Sequence, residues 1–288
     1  RTWSDQLEEG LAQVRSADVA RALAREYGEA MSLEYQAATD PLVAVGDVLE
    51  IEAMLADGRT VAVALANRPS ASVAGVVGAT ELKLFLRGER LVLSDFMPIL
   101  DNLGLRVIAM KPYEVAGTKG AAGPRATIHV FAVQDRSGAP LDIEARGALL
   151  SETLLAARAG DVISDPLNAL VLSAGLHWRE VDVLRAYAAY AFQAGLVPSC
   201  AALPSALVKH PGIARELFEL FQTKFDPDSG ASIEQRLAAA ADIGTAFHAS
   251  LRSVSLLADD RALRRLEQLI RQTVRTNYYR RGGRTPTL

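Results

Sequence analysis

The chain has 288 residues, 50% apolar and 23% charged, with a net charge of −3. That length accommodates two domains, and the apolar fraction sets aside extended disorder. Mild acidity argues against nucleic acid as a general partner, and without a run of about eighteen apolar residues no membrane-spanning helix is expected.

Residues 3–27 read as helix, with Leu7, Leu11 and Val14 and then Val19, Leu23 and Tyr27 at helical spacing. Ser4 or Asp5 is the expected cap and Gly28 the stop. A second helix is expected over 40–55, opened by Asp40-Pro41, and Asp57-Gly58 marks a turn. From Thr60 the period changes. Residues 60–66 and 81–87 have strand character, with Leu82, Leu84 and Leu86 alternating. SDFMPILDNL predicts a helix over 94–103, capped by Ser94 and closed by Gly104. Strands follow at 105–113 and 125–134, joined by the glycine-bearing loop AGTKGAAGP, and a helix covers about 142–158. This order predicts an α+β fold, a ferredoxin-like antiparallel sheet with helices on one face.

Beyond Gly160 the strand signals stop. Helices are expected from Asp165-Pro166 to Gly175, over 179–193, around Pro204, over 211–225, over 232–257 and over 260–278, giving an all-helical bundle. His177 falls at the cap of the 179 helix, where it is a poorer cap than Ser or Thr. Trp178 reads as a core anchor.

The residue pattern offers no catalytic constellation. The four histidines lie more than thirty residues apart, which argues against a metal site. G-x-S-x-G, G-x-G-x-x-G and the P-loop pattern are all missing, and Gly117, Gly120 and Gly123 sit in a hairpin loop rather than before a helix. Glu8-Glu9 and Asp259-Asp260 read as first-turn helix charges. Cys200, the single cysteine, cannot close an internal disulfide and reads as a small apolar residue in a reducing cytosol. The arginines from Arg261 through Arg264, Arg265, Arg271, Arg275, Arg280 and Arg281 to Arg284 read as a solvated or inter-domain helix face, with a phosphate-binding face as the alternative.

Four strings carry a resemblance: LSDFMPILDNLGLRVIAMKPY over 93–113, residues 168–190 ending in LRAYAAY, HPGIARELFELFQTKFD over 210–226, and residues 259–279 ending in RTNYY. In these strings the chain resembles the large NAD-dependent glutamate dehydrogenases of bacteria. It departs from their pattern at His177, where that family usually has Ser or Thr, at Val130-Phe131, where an Asp-Phe pair is expected, and over 69–78.

The resemblance implies an ACT-like module over 58–150, preceded by a helical linker over 1–57 and followed over 151–288 by a helical motif leading into a catalytic core. Arg1 at the start and GGRTPTL at the end suit a segment excised from a longer polypeptide. The implied parent is a cytoplasmic, homo-oligomeric oxidoreductase of amino-acid catabolism that uses NAD, with no cofactor, catalytic residue or metal on this chain. Its partners would be the catalytic region of the same polypeptide and an amino-acid effector, with neither nucleic acid nor membrane. ACT modules commonly bind amino acids at the loop after their first strand, often at a subunit interface. The matching loop is 87–95, so the expected effector-binding residues are Arg87, Gly88, Leu93, Ser94 and Asp95. The alternative is a stand-alone amino-acid-sensing or protein-interaction module without enzyme activity, in which the strand near 60–66 pairs across subunits.

Overall fold

A computed structural model describes residues 1–67, 73–117 and 124–280. Most of the AGTKGAAGP loop, part of the 69–78 stretch, and Arg281 and Arg284 with the GGRTPTL tail lie outside the described residues. The chain forms two compact units, the first holding Arg1–Met97 and Leu105–Ile143, the second Pro98–Gly104 and the chain from Glu144 onward.

The first unit opens with α1 (Trp3–Ala12), α2 (Ala17–Ala30), α3 (Leu33–Ala38) and α4 (Pro41–Asp57). The single helix expected over 3–27 is two. Thr2 caps α1 in a reciprocal box with Asp5, and the chain turns before Ser16, which starts α2. The buried stripe of α2 is Ala20, Ala24 and Tyr27, one position out of phase with the expected Val19 and Leu23. Gly28 does not stop the helix. A Cβ there would stand 2.3 Å from Ser4 Oγ, so its glycine lets α1 and α2 approach closely. Asp40 caps α4 as expected, accepting from Leu42 N at 2.8 Å, and Gly58 ends it in the left-handed region at φ +68°.

Next come β1 (Val61–Asn67), β2 (Thr80–Leu86), α5 (Leu93–Asn102), β3 (Arg106–Val115) and β4 (Ala126–Gln134). They build a four-stranded sheet in the order β1-β2-β4-β3, every neighbouring pair antiparallel. This is the expected α+β sheet. In the ferredoxin-like order the strand beside the first one comes last in the chain; here β1 occupies that edge from the N-terminal side. Asn67 and Thr80 close the β1–β2 end, Thr80 Oγ1 donating to Asn67 Oδ1 at 2.6 Å while accepting from Leu141 N at 2.8 Å.

Alternation sends Leu82, Leu84, Phe131 and Val133 to one face, where Phe96 of α5 lies 5.5 Å from Phe131. The opposite face carries Ala62, Phe85, Tyr113, Ile128, Val130 and Ala132, in one apolar core with Leu7, Leu11, Tyr27, Tyr35, Val48 and Ile51 of the preceding helices. Residues 1–57, expected as a linker, thus form a helical layer on the sheet face that the sequence reading left uncovered. Two charged residues of β2, Glu81 and Lys83, alternate onto that same face and are buried. Lys83 Nζ donates to both carboxylate oxygens of Asp47 on α4, at 2.8 and 2.6 Å, Glu81 stands 3.5 Å away, and Tyr35 OH donates to Asp47 from α3. Burial pushes the Asp47 carboxyl up, against the pull of Lys83. Tyr35 stacks edge-on with Tyr113 at 5.3 Å and with Trp3 at 6.2 Å.

The second unit contains α6 (Ile143–Ala159, from Glu144 onward), a 3-10 turn Pro166–Ala169, α7 (Leu170–Ser173), α8 (Trp178–Gln193), α9 (Ala202–Lys209), α10 (Pro211–Phe225), α11 (Ile233–Ser250) and, after a 3-10 turn Leu251–Ser253, α12 (Leu257–Gln272). Leu170, Leu184, Tyr187, Leu207, Leu217, Phe221, Leu263 and Leu266 lie in its core. α12 starts and stops earlier than expected. Lys224 ends it, donating to the carbonyls of Ile270 at 3.3 Å, Arg271, and Thr273 at 2.6 Å. RTNYY therefore leaves the helix, and Tyr278 packs 5.6 Å from Phe221 with Tyr279 stacked on the same ring at 6.3 Å. Cys200 is exposed, not the buried apolar residue that its type suggests. Among the described residues no helix is long and apolar enough to cross a membrane.

His177 caps α8 fully. Its Nδ1 accepts from Arg179 N at 3.1 Å, its own N–H donates to Glu180 at 2.8 Å, and its Nε2 lies 2.8 Å from Glu152 of α6. An Nδ1 that accepts leaves the ring proton on Nε2, so the ring serves the cap and the carboxylate at once. This contact holds the Glu152 carboxyl below its usual range.

Three outcomes follow from these contacts. Asp47→Asn removes the nearer counter-charge of the buried Lys83 ammonium, leaving Glu81 at 3.5 Å, and should cost about 3 kcal/mol, whereas Asp47→Leu with Lys83→Met should recover part of that loss; urea unfolding of the three proteins measures the coupling, and equal losses in single and double variants would remove it. His177→Ala should cost about 1 kcal/mol and His177→Ser less than half as much. A lowered Glu152 stabilises the fold above the ordinary carboxylate range and ceases to do so as pH falls through its folded value. The stability gap between wild type and Glu152→Gln should accordingly be flat near neutrality and close on acidification.

Candidate functional site

The loop expected to hold an effector leaves the sheet at the end of β2. Arg87 N donates to Thr60 O at 2.9 Å, which prolongs the β1–β2 pairing by one residue. Gly88 then takes φ +75°, in the left-handed region that other residues enter at a cost of about 1–2 kcal/mol. The space where its Cβ would stand is open, so the requirement is conformational, not steric.

α5 begins at Leu93, one residue before the expected start. Val92 O accepts from both Asp95 N and Phe96 N at 3.1 Å, so Val92 occupies the cap position and Ser94 lies inside the first turn. Ser94 therefore caps nothing; its hydroxyl donates to Asp95 Oδ1 at 3.3 Å. Sequence reasoning chose Ser94 because Ser is a favoured cap and Val a poor one. With the start at Leu93, Phe96, four residues after Val92, lies 5.5 Å from Phe131 of the sheet.

The structure brings Arg87, Gly88, Leu93, Ser94 and Asp95 onto one exposed loop and helix start. The N–H groups of Leu93 and Ser94 carry no hydrogen bond among the described residues, and the positive end of the α5 dipole lies there. Arg87 adds a cation and Asp95 an anion. Chemically, the donors suit a carboxylate and Asp95 suits an ammonium group, which together is the charge pattern of an amino acid.

The buried Lys83–Asp47 pair sits on the strand that feeds this loop, four residues before Arg87. Its partner lies thirty-six residues away in the chain, and no spacing rule connects the two. The one available signal was Lys83 between Leu82 and Leu84, a charge inside the apolar stretch of the strand ELKLFLR.

Residues 64–146 match the family pattern described as glutamate dehydrogenase, ACT3 domain, and residues 162–227 match glutamate dehydrogenase, helical motif 3. The chain is similar to the NAD-specific glutamate dehydrogenase of Halomonas elongata, 34% identical over 284 residues, or 98% of this chain and 17% of that protein. It is likewise similar to the NAD-specific glutamate dehydrogenase of Mycobacterium tuberculosis, 34% identical over 97% of this chain and 17% of that protein. The Pseudomonas aeruginosa protein of the same description is 38% identical over 201 residues, 70% of this chain and 12% of its own length. The chain thus spans about a sixth of the length of the relatives that it matches over nearly its whole length. The ACT3 match covers the sheet and its loop, the helical-motif match covers α7 to α10, and both fall in the order of the folded units. The chain belongs to the large NAD-specific glutamate dehydrogenase family, as the segment that carries its ACT3 domain and helical motif 3.

Proposed function

We propose that this chain is the non-catalytic regulatory and assembly region of an NAD-dependent glutamate dehydrogenase. In the whole enzyme L-glutamate and water would give 2-oxoglutarate and ammonium, with the hydride passing to NAD to form NADH. The catalytic region of the same polypeptide would bind NAD and carry out that chemistry, and this segment would assign no residue to it. Its setting would be the cytoplasm, in a homo-oligomer that serves amino-acid catabolism.

The observation that carries this reading is the ACT3 match on an antiparallel sheet whose first central strand ends in a turn at Gly88 and a helix start with free N–H donors. In this reading the loop 87–95 takes an amino-acid effector. The N–H groups of Leu93 and Ser94 receive its carboxylate, Asp95 receives its ammonium group, Gly88 shapes the turn, and Arg87 adds long-range attraction.

Calorimetry of this chain against a panel of amino acids should give saturable heat for at least one of them, and Gly88→Val should weaken that binding by about tenfold or more. In the full-length enzyme the same substitution should leave glutamate-dependent NADH formation without effector unchanged and blunt the effector response. Absence of heat for every amino acid, together with an unaltered response in the Gly88→Val enzyme, would remove the effector role. NADH formation by the segment alone would overturn its non-catalytic assignment.

A further inference from the structure

The helical unit contains a groove that the effector reading leaves unused. α11, the turn Leu251–Ser253 and α12 border about 590 Å3 of solvent-open space. Its lining joins the small residues Ala241, Gly244 and Ala249 to His248, Arg252, Glu267 and Arg271.

The two helices hold Arg271 in a set position. Glu267, one turn earlier on α12 and only 6% exposed, accepts from Arg271 Nε. Arg271 Nη2 reaches across to Ala240 O on α11 at 3.4 Å. A Cβ on Gly244 would stand 2.2 Å from that Nη2, so the guanidinium crosses α11 at the one buried glycine of that helix. Nη1 then has no acceptor among the described residues. His248 Nδ1 lies 2.9 Å from Gly244 O, so it carries the proton and leaves Nε2 uncommitted. Arg252 makes neither an ion pair nor a hydrogen bond among the described residues.

The groove therefore gathers two guanidinium groups against one carboxylate, and that carboxylate is already bound to Arg271. Guanidinium forks recognise carboxylate and phosphate oxygens through paired N–H donors. Small side chains in the lining leave the α11 backbone open to a close approach, and the volume suits a metabolite-sized molecule. We propose that this groove binds a small dianionic ligand, its phosphate or carboxylate oxygens held between Arg252 and Arg271. The site belongs to the helical unit and is independent of the loop at Gly88.

The test is isothermal titration of the 288-residue chain with inorganic pyrophosphate and, separately, with succinate, in about 150 mM chloride to screen diffuse attraction. One of the two should bind saturably with a Kd at or below about 1 mM, and the one that does so distinguishes a phosphate ligand from a dicarboxylate. Arg252→Gln, at an exposed and unpaired side chain, should weaken binding at least tenfold without changing the melting temperature. Removing Arg271 alone would strand the buried Glu267, so it is removed as Glu267→Gln with Arg271→Gln, and this pair should abolish binding. Arg261→Gln with Arg265→Gln, on the outer side of α12, should leave affinity unchanged. Absence of binding by both anions up to about 10 mM would overturn the site. So would an equal loss in the Arg261/Arg265 variant, which would mark a diffuse basic surface.

Discussion

The first unit depends on a lysine and an aspartate that meet out of water. Lys83 is placed on the sheet by strand alternation, and Asp47 on the inner side of α4. Neither charge is tolerable there alone, because each would lose its hydration with nothing in return. Together, with the Tyr35 hydroxyl on the carboxylate and Glu81 3.5 Å from the ammonium, they satisfy one another. The surrounding apolar contacts of Tyr27, Val48, Ile51 and Phe85 provide most of the burial, but such contacts are non-directional. The hydrogen bonds at Asp47 are directional and tie α3, through Tyr35, and α4 to β2.

The permuted sheet follows from the same layering. With β1 entering from the N-terminal side, the strands of the first unit run directly out of α4 through the left-handed turn at Gly58. Both edges of the sheet, β1 and β3, are thereby formed by strands next to other elements of this unit. Pro112 on β3 has no N–H to offer and is accommodated on an edge strand, and the end of that strand meets Met31 in a bridge to Val115. The central strands β2 and β4 are buried on both faces, and the loop that leaves β2 therefore starts from a rigid support. That rigidity is what gives the turn at Gly88 and the start of α5 a defined geometry.

In the helical unit, polar side chains close the helix ends that the apolar core leaves open. Arg215 donates to the carbonyls of Ala174 and Gly175 at 2.8 and 2.9 Å, Lys224 closes α12, and Arg185 joins Asp165 at 2.7 Å and Asn168 at 2.7 Å. Burial lowers the affinity of Lys224 for its proton, yet three carbonyls converge on it, the arrangement that a helix C-terminus favours. The aromatic pair of RTNYY is pressed against Phe221 beside this cap, and burial pushes the Tyr278 hydroxyl up to about 12. The string that carried part of the family resemblance is thus a packing element in this unit.

The sequence by itself determined the α+β class, all four strands, the helical second half and the family. Alternation of Leu82, Leu84 and Leu86, the Asp40-Pro41 cap and the glycines at 58, 104 and 175 are local signals that needed no tertiary knowledge, whereas Gly28 did not act as the stop expected of it. The loop over 87–95 was placed by the family resemblance, and the left-handed turn at Gly88 within it emerged only in the folded chain. Only the tertiary structure decided the break between α1 and α2, the start of α5 at Leu93, the use of His177 as a cap tied to Glu152, and the pairing of Lys83 with Asp47. Each of these goes with a contact between residues distant in the chain: Gly28 against Ser4, Phe96 against Phe131, an imidazole against a carboxylate, an ammonium against its counter-charge. Periodicity specifies which side of an element is apolar, whereas the residue that arrives opposite it is fixed only when the layers close.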